Sequence, residues 1–180
     1  MKPWLKRLNC ACLLVAANLA SAWAEGLPPR PVADEFQAAL GRLSKLTVTP
    51  PEALDFAPQQ ARLVRVVIHQ TSGGQPGIDE LEIFGPDGKE NLALAQRGAA
   101  ASASSLLPGY PIHQIKHLND GLYGNDHSWI AAARDSQWVQ IEFAQPVTAA
   151  RVIVTRDRTG KYADRIPEAF EVLVSEDGKQ

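Results

Sequence analysis

An all-β sandwich or barrel is the fold class that the residue pattern predicts. Short runs of branched and aromatic residues alternate with polar ones through residues 62–175. Turn signals separate these runs at regular spacing, and almost no helical periodicity intervenes. A half-buried antiparallel strand needs this period of two, because successive side chains point to opposite faces of the sheet.

The elements follow in order. Lys2, Lys6 and Arg7 make a positive leader, residues 8–20 an apolar stretch, and Ala22-Trp23-Ala24 a small-x-small cleavage signal. Asn9 and Asn18 interrupt the apolar stretch, which is too short to span a bilayer. Residues 1–24 are therefore expected to be a cleaved signal peptide, placing the protein in the secreted, periplasmic or cell-surface compartment with no membrane insertion after cleavage. Both cysteines, Cys10 and Cys12, fall inside this peptide. The processed chain then has neither disulfide nor thiolate chemistry and rests on its core alone. Roughly 150 residues suffice for one such core.

Residues 25–61 read as a Pro-rich leader, with Pro50-Pro51 and Pro58 in a connector over 47–60. Within it Asp34 can cap a short helix whose Phe36, Leu40 and Leu43 stand at i, i+4 and i+7. From Arg62 the period switches to two: Leu63, Val64, Val66 and Ile68 form one strand, ended by Thr71-Ser-Gly-Gly-Gln-Pro-Gly77. Leu81, Ile83 and Phe84 form the next, ended by Gly85-Pro-Asp-Gly88. The small-residue run 98–105 would be helical by propensity, but its flanking Gly and Ser residues predict an extended edge or coil. Further strands are expected at 137–143, 149–155 and 169–174. Asp177-Gly178 then opens a hairpin turn that announces a returning strand. The expectation is a sandwich incomplete at its C-terminus, in which the strand ending at Ser175 lacks a neighbour on at least one side.

Charge narrows the partners. Residues 1–24 carry three basic and no acidic residues, leaving 15 basic against 20 acidic in the remainder. No basic stripe is present, so nucleic acid is not an expected partner.

Ala101-Ser-Ala-Ser-Ser105, the Leu118-Asn-Asp-Gly121 loop ending at Ser128-Trp129, Gln137-Trp-Val-Gln-Ile-Glu-Phe143 and Phe170-Glu-Val-Leu-Val-Ser-Glu-Asp-Gly178 stand in one order. In that order and spacing, residues 62–180 resemble discoidin domains. These are also called coagulation factor V/VIII type C domains, of the galactose-binding-like jelly rolls, and the variant is similar to those of large secreted bacterial multidomain proteins. The resemblance implies a discoidin-like jelly roll and a structural calcium held by Asp120, Ser128 and the carbonyls of His117 and Leu122. A loop turned by Gly121 and Gly124 can direct carbonyls at a hard cation. The alternative is that Asn119 and Asp120 only form an Asx-type turn.

The resemblance further implies ligand contacts from His127, from Arg156 or Arg158, and from Asp164 or Arg165. Tyr110, Tyr123 or Tyr162 would serve as an aromatic platform. An imidazole and a charged fork can make directional hydrogen bonds to vicinal hydroxyls. Against this, the charged run 156–165 can simply be a solvated, mutually paired loop. Trp129 and Trp138 fall at strand positions and are expected in the core.

An enzyme reading rests on His113-x-x-x-His117 with Asp120, two imidazoles that a helix would place on one face. Pro108, Gly109 and Pro111 before them, and Asn119-Asp-Gly121 after, leave little room for that helix, and no Glu adjoins His113. The resemblance then implies a non-catalytic carbohydrate-binding or adhesion module of an exported protein, with a glycan or cell-surface protein as partner. The alternatives are a protein–protein adhesion module without sugar binding, and an accessory N-terminal domain of a larger secreted enzyme.

Overall fold

The computed structural model describes residues 6–8, 52–158 and 160–178. The helix expected after Asp34 lies outside them. Antiparallel strands dominate: β1 (Lys6–Leu8), β2 (Glu52–Thr71), β3 (Gly77–Ile78), β4 (Glu80–Phe84), β5 (Ala100–Ala103), β6 (Trp129–Ile130), β7 (Gln137–Thr155) and β8 (Pro167–Ser175). The fold class is all-β. Short 3-10 turns at Ala95–Arg97 and Ile115–Asn119 are the helical elements among the described residues. No helix among them is long and apolar enough to cross a membrane.

The main sheet runs β1-β8-β2-β7-β4, with β5 also on β7, while β3 and β6 pair separately. Its spine is the antiparallel ribbon of β2 and β7, 20 and 19 residues long. Strands this long must bend to enclose a core, and bulges are the usual means. The register of β2 on β7 slips between Asp55 and Gln59 and again between Ala61 and Leu63. Pro58 falls in the first irregularity. Pro146 falls opposite the second, between Glu142 and Val147, where its missing N–H costs no ladder bond. Arg62 spans that second break, donating to the Ala144 carbonyl. Beyond the bends each half of β7 takes a different neighbour. β5 lies along residues 139–142 and β4 along residues 151–155.

Two expectations are corrected here. Residues 52–60 are strand rather than connector, and the runs at 137–143 and 149–155 are one strand. Both errors came from reading proline as a stop, when a bulge accommodates it.

Alternation decides the core. Val64, Val66 and Ile68 of β2, Val139, Ile141 and Phe143 of β7, Leu81 and Ile83 of β4, and Val172 and Val174 of β8 are buried in one cluster. Trp129 joins it, fully buried with Nε1 donating to the Ser105 carbonyl at 2.7 Å. Trp138 does not. With Val139 and Ile141 inward, position 138 faces outward, and the Arg65 guanidinium covers its ring at 4.1 Å. The small-residue run is extended, as expected, with Ala100–Ala103 on β7.

β8 has β2 along one side from Pro167 to Ser175. On the other side Lys6–Leu8 stands opposite Val172–Val174. Over those three residues the expected bare edge is covered in the uncleaved chain, by residues that the sequence assigns to the signal peptide.

Candidate functional site

Glu80 and Thr155 pair at one end of β4 and β7, and the loops that leave this end carry the charged residues. Asp79 is the anchor. Its backbone N–H donates to the Thr155 carbonyl at 2.7 Å, which aims its side chain into the interior. That carboxylate accepts from the Gly124 N–H at 2.9 Å, the Asp157 N–H at 2.7 Å and Arg156 Nη1 at 3.2 Å. One side chain thus ties the 119–128 loop to the 156–165 loop. Burial pushes Asp79 above the usual carboxylate range, and the Gly124 N–H, Arg156 and the Asp157 N–H pull the other way. All three partners are donors, the pattern of an ionised acceptor.

Arg156 is 2% exposed. Besides Asp79 it donates to Asn125 Oδ1 at 3.0 Å and stands 3.9 Å from Asp164. Among the described residues its buried Nε has no hydrogen-bond partner. Gly77 makes room for it, since a Cβ there would lie 3.0 Å from Nε. The reading of Arg156 as a ligand-facing fork is therefore corrected: it is buried, and it holds the loops in place.

Asp164 and Arg165 pair at 3.0 Å, and Arg165 also donates to Gln75 Oε1 at 2.5 Å. Arg158 ion-pairs with Glu82 and stacks over the Tyr123 ring at 3.9 Å. The Tyr123 hydroxyl donates to the other Glu82 oxygen at 3.0 Å. The charged run is thus paired partly within itself and partly with Gln75, Asp79 and Glu82, and its pairs brace exposed aromatic rings.

The Asp-Gly loop is locally built. The Leu122 N–H donates to Asp120 Oδ1 at 2.8 Å, closing an Asx turn, and Gly121 supplies the positive φ of 80°. Asn119 leaves that turn and donates from its buried amide to the Ala93 and Ala99 carbonyls at 2.7 and 3.2 Å. Asp120 Oδ2 stands 3.1 Å from His127 Nδ1. His127 in turn lies against His117, with ring centroids 5.1 Å apart.

Ser128, expected beside Asp120 as a cation ligand, is turned elsewhere. Its hydroxyl donates to the Asn125 carbonyl at 2.9 Å, and His113 Nδ1 contacts the Ser128 Oγ itself at 2.8 Å. With the hydroxyl hydrogen on Asn125, His113 is the donor in that pair, so it is no base–nucleophile dyad. Burial, then Arg156 and Arg165, keep His113 below the usual imidazole range. The 3-10 turn begins only at Ile115, so His113 and His117 share no helix face. The side chains gathered at Asp120 are two imidazoles, whereas calcium takes six to eight oxygens. This donor set suits a nitrogen-binding ion better.

Asp79, Glu80, Glu82 and Asn125 were missed in the sequence. The signal for the three acids was their spacing, three within four positions at 79–82 beside the apolar Leu81 and Ile83. Scanned against protein-family models and against curated proteins, the chain matches none.

Proposed function

We propose that this is a non-catalytic binding module of an exported protein, with a discoidin-like jelly-roll fold, whose loops at the Asp79 end take up glycans. The observation that carries this reading is where the large apolar side chains remain exposed. Among the described residues they are Tyr110, Ile112, Leu122, Tyr123 and Tyr162, and all lie on the loops braced by His113, Arg156 and Arg158. Exposed tyrosine faces suit the apolar faces of a sugar, and Arg158, whose side chain is 34% exposed, is the guanidinium beside them that can meet its hydroxyls. The bracing supplies preorganisation, which lowers the entropy that binding must overcome.

The test is a glycan array with the full chain, followed by calorimetry on the best ligand. Tyr162→Ala should weaken binding about tenfold, equivalent to ~1.4 kcal/mol, while Tyr162→Phe retains it. The exposed Ile112 and Leu122 favour a second reading, adhesion to a protein partner. Binding to a cell-surface protein that free sugars do not compete would replace the first reading with the second.

A further inference from the structure

We propose that His117, Asp120 and His127 form a binding site for a divalent ion of the zinc class. Each residue offers one ligand atom, and the three atoms lie within 4.8 Å of one another. Ligands of one tetrahedral ion with bonds near 2.0 Å stand ~3.3 Å apart, so a small closing movement of side chains completes the set.

The surroundings orient each ligand. His117 Nδ1 lies 3.1 Å from the Ile112 carbonyl, and a carbonyl can only accept. The proton is therefore on Nδ1, and the Nε2 lone pair is available to an ion. A backbone carbonyl behind a histidine is the usual outer partner of a metal-bound imidazole. Asp120 is fixed by the Leu122 N–H on Oδ1, which leaves Oδ2 for coordination. His127 Nδ1 donates to that same oxygen at 3.1 Å, and an ion entering between them would take the place of that proton. Two imidazoles and one carboxylate match zinc, nickel or copper in softness, not calcium or magnesium.

Access fits as well. His117 is buried, whereas the His127 side chain is 41% exposed, so an ion can enter from solvent and water can fill the remaining positions. His127 would then act through the ion and not as a bare hydrogen-bond donor to a ligand. The rest of the proposed binding surface, Tyr123, Tyr162 and Arg158, is untouched by this assignment.

The experiment uses the full chain freed of metal by a chelator, with no sugar present. Zinc chloride and calcium chloride are titrated separately by calorimetry, and thermal melts are recorded with each. Zinc should bind with one-to-one stoichiometry and raise the melting temperature by roughly 10 °C at a hundredfold excess over Kd. His127→Ala and Asp120→Asn should each weaken zinc binding at least tenfold. Cobalt in place of zinc should give visible d–d absorption that His127→Ala abolishes. Saturation by calcium with no response to zinc would overturn the assignment, as would zinc binding unchanged in both variants. Loss of glycan binding by Tyr162→Ala reports on the other surface and leaves this result standing.

Discussion

Arg156→Ala is expected to lower the unfolding free energy by about 3–5 kcal/mol, the usual consequence of stripping one partner from a buried ion pair. Arg156 and Asp79 are both excluded from water, their side chains 2% and 0% exposed. Without the guanidinium, the Asp79 carboxylate keeps only the Gly124 and Asp157 N–H donors in a site that water does not reach. Arg156→Lys should recover little, because one ammonium lacks the planar fork that reaches Asp79 and Asn125 together. Replacing both members by leucine should not restore stability either, since Gly124 and Asp157 would each lose the acceptor of a backbone N–H. Urea unfolding monitored by tryptophan fluorescence gives the comparison. A change below about 1 kcal/mol for Arg156→Ala would show that the pair carries no such weight. Ligand binding should weaken in the same variant through loosened loops, because Asp79 and Asn125 fix the segments on either side of Tyr123 and Tyr162.

The sheet was largely legible, and the reasons are local. Val64, Val66 and Ile68 alternate with Arg65 and Val67, and Val139 and Ile141 alternate with Trp138 and Gln140, so the inward face could be read directly. The length of β2 and β7 could not, because Pro58 and Pro146 carry the same signal whether they end a strand or sit in a bulge. Which of the two holds is set by the partner strand, about ninety residues away in sequence. The site was legible in place but not in role. The Asp-Gly loop and the charged run 156–165 do meet at one end of the sheet. Arg156, however, reads as an exposed donor from its residue type, and only the pairing with Asp79, 77 residues earlier, buries it. Glu80 and Glu82 alternate with Leu81 and Ile83 and so read as solvent-facing. The 119–125 loop covers them, through the Gly121 N–H on Glu80 and the Tyr123 hydroxyl on Glu82.

That cover leads to the second large expectation: stability should fall as pH rises from 7 to 9, and Glu80 should be the cause. Glu80 is 0% exposed, and burial, against the Gly121 N–H and aided by the charges of Asp120 and Glu82, pushes its carboxyl from 4.5 to about 9, with Arg158 the opposing cation. The folded protein therefore holds a proton on Glu80 that the unfolded chain releases above its ordinary value. Stability from this group is complete below pH 4.5 and is lost as pH rises toward 9. Within the window the slope approaches ~1.4 kcal/mol per pH unit. Burial of His113 works in the opposite direction but only below its ordinary value of 6.5, so pH 7 to 9 leaves the buried carboxyls, and substitution at Glu80 separates it from Asp79. Glu80→Gln keeps an acceptor for Gly121 and cannot ionise. It should match the parent near pH 5, gain on it by a further ~2–3 kcal/mol between pH 7 and pH 9, and flatten the profile. Chemical denaturation at each pH, with chelator present so that no ion occupies Asp120, measures both curves. A parent profile already flat between pH 7 and 9, or a Glu80→Gln variant that keeps the slope, would mean that Glu80 is ionised in the folded protein and that another group sets its response to base.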